Sequence, residues 1–211
     1  MPQGEPVVVH SRTHRAFAIV IWALLAAIGV ALWVSGAEAP QARAAIPTVV
    51  AAAIVAWAVL WPPYVAVDAD GVTVRNVLST RRVPFDALVD VSTRWSVTLR
   101  TPRGAVPVFV APQPSRISAW GAERRVRREG SPDERARLER VVHVGDVPGT
   151  ESGDVAALVR DRWQRALDEG RVAVGDADDV AVSRTWHVAT IAVATLAVVA
   201  APVAAWLIAG A

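Results

Sequence analysis

Three long stretches of this chain hold no Asp, Glu, Lys or Arg, and they bracket a polar middle. They run from about Ala16 to Val34, from Ala44 to Trp61 and from Trp186 to Ala211. Each approaches the ~20 apolar residues that a helix needs to cross a ~30 Å hydrocarbon core. A single Arg at the centre of such a helix would cost about 2.5–3.5 kcal/mol on insertion scales, and none is present. The expected fold class is therefore membrane α plus soluble α+β. A two-helix transmembrane hairpin over 16–61 follows a tail over 1–15. A soluble unit over 62–170 and a linker over 171–185 then lead to a third transmembrane helix over 186–211.

Arginine asymmetry sets the expected orientation. Arg12 and Arg15 precede the first span, and Arg75, Arg81 and Arg82 follow the second. Arg171 and Arg184 precede the third, and nothing basic follows it. The positive-inside rule then puts the N-terminus and the polar middle in the cytoplasm, with the C-terminus outside a multi-pass plasma-membrane protein. A signal-peptide reading competes for the first span, with Ala37-Glu-Ala39 as a cleavage-like site. That apolar run exceeds the roughly 7–15 residues of a signal core, and Pro40 would follow the cut, so the span is read as retained. Trp33, Trp61, Trp186 and Trp206 lie near span ends, where an apolar ring with a polar N–H is at home. Pro47 is placed in the first turn of the second span, and Pro202 is expected to kink the third. Ala197, Ala200, Ala201, Ala204 and Ala205 would allow close helix contact. No span holds an ionisable residue apart from His187 at an edge, which argues against a transporter.

Charge excludes another class. Net charge is only +2 despite a sequence pI near 10.2. Between Pro62 and Thr185, 19 Arg face 18 Asp and Glu. Nucleic-acid binding would need a basic excess, so no nucleic-acid partner is expected. With no Cys in the chain, disulfides, zinc thiolates and thiol nucleophiles are out.

The polar middle has strand texture. Trp61-Pro-Pro63 fixes a stiff entry. Tyr64–Asp68, Gly71–Asn76 and Thr80–Pro84 alternate as strands, with Asp68-Ala-Asp-Gly71 as a hairpin turn. Phe85–Leu88 reads as a short bend. Val89–Trp95, Ser96–Thr101 and Ala105–Ala111 continue an antiparallel meander of about five or six strands, which Pro112 ends. A polar Arg/Glu-rich insert over 113–150 holds one predicted helix, from the capping box Ser131-Pro-Asp-Glu134 to about Val141. A second helix starts at Ser152 or Gly153 and ends at Gly170. Val155, Leu158, Val159, Trp163, Ala166 and Leu167 form its apolar stripe, while Arg160, Asp161, Arg162 and Arg165 are expected in water.

A meander that begins just after a membrane hairpin and closes with an amphipathic helix resembles the bacterial pleckstrin-homology (PH)-like domain proteins of actinobacteria. The residues that carry it are Pro63-Tyr64-Val65, Asp70–Asn76, Arg82-Val-Pro-Phe85, Thr93-Arg94-Trp95, Ala111-Pro112, Ser152-Gly153, Ala157–Arg160 and Trp163. The family often has Trp where this chain has Phe85. The resemblance implies a curved antiparallel sheet plugged by a C-terminal helix, and little about activity.

No catalytic, cofactor or metal site is expected. Asp68-Ala-Asp70-Gly71 opens like a calcium loop, but position twelve would be Ser79 where a bidentate Glu is needed. The four His are scattered, and no phosphate loop or nucleophile elbow is present. The chain therefore reads as a non-enzymatic membrane-anchored scaffold, with a protein partner or self-association. Two alternatives stand beside it: an accessory subunit of a membrane complex, and a module for anionic lipid headgroups. The lipid-binding candidates are Arg81, Arg82, Arg124, Arg125, Arg127 and Arg128. Against the lipid reading, Asp68 and Asp70 occupy the first hairpin turn, where a phosphate ligand would want basic groups.

Overall fold

The computed structural model describes residues 5–34, 40–172, 177 and 180–209. The expected Ala37–Ala39 cleavage-like site lies outside the described residues, as do Asp176, Asp178 and Asp179, which make the expected linker over 171–185 acidic. In chain order the elements are β1 (Val7–Val9), α1 (Arg12–Val34), α2 (Pro40–Leu60), β2 (Tyr64–Val67), β3 (Gly71–Arg75) and β4 (Ser79–Pro84). A 3-10 turn at Phe85–Ala87 leads to β5 (Asp90–Ser92), β6 (Ser96–Thr101) and β7 (Gly104–Pro112). Then come α3 (Arg116–Glu129), α4 (Pro132–Glu139), a second 3-10 turn (Val144–Asp146), α5 (Glu151–Asp168), β8 (Ser183–Trp186) and α6 (Val188–Ala209). The chain divides into two compact units, one of α1, α2 and α6, the other of the strands and remaining helices.

In the helical unit, α1, α2 and α6 are each long and apolar enough to cross a membrane. α2 packs against both α1 and α6. Ala197, Ala200, Ala201 and Ala204 of α6 share a shallow groove with Ile46, Pro47, Val50, Ala51 and Ile54 of α2, so the small residues do sit at a helix contact. The Trp22 indole N–H, mid-way along α1, donates to the Ala53 carbonyl at 3.3 Å. In a bilayer that bond would satisfy a donor that lipid could not. α2 starts at Pro40, and its membrane-length part is Arg43–Leu60, where the charge-free stretch places it. Pro47 is therefore inside α2 and contributes no N–H to its ladder, which corrects its expected first-turn position.

The β unit holds six consecutive strands, as the alternation predicts, but they divide between two sheets. One runs in the order β1-β2-β3-β4-β8 and the other β5-β6-β7. The break falls at Phe85–Ala87, where the 3-10 turn carries the chain from one sheet to the other and buries Phe85. The inward residues Val65, Val67, Val72, Val74, Val83, Val97, Leu99, Val106, Val108 and Val110 form one core. α5 covers it with Val155, Ala156, Val159 and Ala166. At ~1.5–3 kcal/mol per buried aliphatic side chain, this core is the main source of the unit's stability. Asn76 pins the sheets together: its amide donates to the Pro107 carbonyl at 2.8 Å, and its oxygen accepts from Phe109 N–H at 3.0 Å.

Three expectations change. The tail over 1–15 contains β1, paired with β2 through Val7↔Val67 and Val9↔Val65, and the first turn of α1. The linker over 171–185 contains most of β8, which joins the sheet beside β4 and takes Trp186 out of the third span. The insert over 113–150 holds α3 as well as the predicted α4. β1 and β8 each lead into a membrane-length helix, and β2 follows one, with no more than three residues between strand and helix.

α5 is placed by its start. Thr150 is the cap, accepting from Gly153 N–H at 3.1 Å, and the helix starts at Glu151 where Ser152 or Gly153 was expected. A Cβ at Gly153 would stand 2.1 Å from the Val147 carbonyl oxygen, so only glycine allows this approach. Arg160 does not simply face water. It reaches back to pair with Asp146 at 2.7 Å and donates to the Val91 carbonyl at 2.7 Å. A long side chain on the wet face of a helix can return along the surface in this way.

Candidate functional site

The first hairpin turn is closed by its own chemistry. The Asp68 carboxylate accepts from the amides of Asp70 at 3.0 Å and Gly71 at 3.1 Å, a turn that short acidic side chains favour. A Cβ at Gly71 would meet the Val83 carbonyl oxygen at 2.4 Å, so β3 and β4 require glycine there. Arg82 crosses from β4 and takes Asp68 in a bidentate pair, with Nη2 to Oδ1 at 2.7 Å and Nη1 on Oδ2. Arg82 Nη1 also donates to the Thr73 hydroxyl at 3.1 Å. Partial burial alone would raise the Asp68 pKa. The bonds from Arg82 and the turn amides outweigh it and hold the carboxyl below its ordinary range. The Asp68 bond raises the Arg82 pKa in return. Asp70 faces Arg171 at 3.5 Å.

The six lipid-binding candidates fall on two elements with different surroundings. On β4, Arg82 is engaged as described, and Arg81 donates to the Ala105 carbonyl at 3.4 Å. On α3, Arg127 is held by Glu123 at 2.7 Å, one turn back. Arg125 lines a small cleft of about 200 Å³ with Glu129 and Glu134. Arg124 lies 4.4 Å from the Trp120 ring centroid. Arg128 makes no ion pair or hydrogen bond among the described residues and is exposed. No ion pair joins the β4 pair to the α3 group among the described residues.

A second place emerges on the outer face of the β5-β6-β7 sheet. Ser92, Arg94, Trp95, Ser96, Thr98, Arg100, Thr101, Gly104 and Ala105 line an open cleft of about 410 Å³. Ser96, Thr98 and Arg100 alternate outward along β6 because Val97 and Leu99 turn into the core. Trp95, at the β5–β6 turn, is 75% exposed, with the Arg94 guanidinium 5.8 Å from its ring. Asp90 sits 3.7 Å from Arg100 at one side. Two donor-rich cations, several hydroxyls and one exposed indole make a surface that can hold a polar partner by hydrogen bonds and anchor it with an aromatic. Sequence reasoning used Thr93-Arg94-Trp95 as scaffold. The signal for more was the Ser-x-Thr-x-Arg alternation of β6.

Two small sheets sharing a core closed by one helix define a compact β module. Residues 62–141 match the bacterial PH domain family, a span from just before β2 through α4 that ends before α5. PH-like domains commonly bind proteins or lipids and are typically non-enzymatic. No curated protein and no solved structure matches this chain.

Proposed function

We propose that this chain is a membrane-anchored, non-catalytic adaptor. Its β unit docks a protein partner, or a second copy of itself, on the outer face of the β5-β6-β7 sheet. The observation that carries the reading is Trp95, exposed beside Arg94 at the rim of the hydroxyl-lined cleft. Tryptophan and arginine are the residues most often found at the energetic centre of protein interfaces. The three membrane-length helices support the anchor. The Arg distribution supports a cytoplasmic β unit and an external C-terminus.

The test is photocrosslinking from Thr98 of the full chain in native membranes. A discrete protein adduct is expected, and Trp95→Ala should weaken it at least tenfold, the effect of losing a buried aromatic anchor. Lipid adducts alone, or an adduct indifferent to Trp95→Ala, would refute the assignment. Because the chain lacks Cys, a single cysteine introduced at Leu78 also reads orientation. An impermeant thiol reagent should reach it only after cells are opened.

A further inference from the structure

α3 carries a stripe that the docking reading does not use. Ser115 caps the helix, accepting from Ser118 N–H at 3.1 Å, and so fixes which side chains face out. Ala119 and Val126 are buried, two turns apart on the inner face. Opposite them, Ile117, Trp120, Arg124 and Arg128 follow at i, i+3, i+7 and i+11, which places them along one line of the helix. Ile117 is 82% exposed and Trp120 is 57% exposed. The stripe is apolar in its first half and cationic in its second. The helix as a whole has five arginines against two glutamates. Glu123 is turned to Arg127, and Glu129 lies in the side cleft with Arg125 and Glu134. No carboxylate therefore stands on the stripe itself. Neighbouring α4 is mixed, with Asp133, Glu134 and Glu139 beside Arg135 and Arg137.

We infer that α3 is an in-plane contact for an anionic bilayer surface. Ile117 and Trp120 enter at the boundary between headgroups and acyl chains, and Arg124 and Arg128 meet lipid phosphates. Charge complementarity selects this occupant: an anionic leaflet offers negative charge over an apolar layer, the same two halves the stripe presents. A protein groove for so short an apolar segment would also need acidic walls along the second half of the helix. The Arg124 guanidinium over the Trp120 ring holds the cation beside the inserted indole. The same chain carries three helices of membrane length, so a bilayer is the surface it meets first. This contact is independent of the Trp95 face and stands or falls separately.

The test uses the full chain in lipid nanodiscs. The sequence has no Cys, and a Cβ at Gly121 meets nothing within 4 Å, so Gly121→Cys carries a nitroxide without disturbing the fold. In phosphatidylglycerol discs, collisions with an aqueous nickel chelate should fall severalfold, and collisions with oxygen should rise, relative to phosphatidylcholine discs. Arg124→Gln with Arg128→Gln should return the label toward its phosphatidylcholine value, since each basic group contributes roughly fivefold near an anionic surface. Arg127→Gln should leave it unchanged. Hydrogen exchange of β3 amides, unaltered in each variant, confirms that the unit is folded. Equal nickel access in both lipids would overturn the proposal. So would shielding that occurs only in native membranes, which would mean that a protein covers the helix.

Discussion

The arginines of β4 and those of α3 look alike in the sequence and differ in the fold. Arg82 is held by both oxygens of Asp68 and by Thr73, so its charge belongs to the hairpin it closes. Arg128 meets no such partner among the described residues, and Arg124 meets only a ring. A basic residue beside strands bound into a sheet finds carboxylates and carbonyls within reach. One on the outer face of a helix at the surface finds water. The contrast teaches that arginine count measures charge, and that geometry decides whether the charge is available to a ligand.

Arg160 marks the engaged extreme. Arg160→Ala removes the pair with Asp146 and the bond to the Val91 carbonyl, and should destabilise α5 by about 2–3 kcal/mol. Hydrogen exchange of α5 amides in the purified full chain reads this; a loss under ~0.5 kcal/mol would put Arg160 in the open class. Arg82→Ala should cost less, about 1–2 kcal/mol, because the pair is partly solvated. In a cycle with Asp68→Asn, the double variant should cost less than the two singles added. Acid sharpens the same contrast. The Asp68 pKa is lowered in the fold, so its contribution is fully present above its unfolded value near ~3.9 and is lost as pH falls through the folded value. Wild type and Asp68→Asn should therefore differ at pH 7 and converge as pH falls through the folded value; a difference that persisted once Asp68 is protonated in the fold would break the assignment. Smallest of all, Arg124→Gln and Arg128→Gln should each change stability by no more than ~0.5 kcal/mol. A larger loss on thermal unfolding would show α3 arginines engaged after all.

The spans announced themselves by length and the absence of charge. The strands from Tyr64 to Ala111 did so by period, because each buries one face and burial imposes its repeat on the residues. β1 lacked that mark because three consecutive valines have no polar alternate. β8 lacked it because Ser183-Arg-Thr-Trp186 is exposed throughout, an edge strand held by backbone pairing. α3 was hidden because only Ala119 and Val126 mark its inner face among many charges. The candidate arginines were legible as residues. Their engagement was not, since Asp68 and Arg82 meet only when β3 and β4 pair.

The larger sheet takes β1 from residues 7–9 and β8 from residues 183–186, nearly the full length of the chain apart. During synthesis β1 must wait for two spans to be made before β2 exists to receive it, and the far edge stays open until the last span is about to emerge. The larger sheet is thereby completed only when nearly the whole chain has been made, and a chain that stops short of residue 183 leaves the β4 edge without β8.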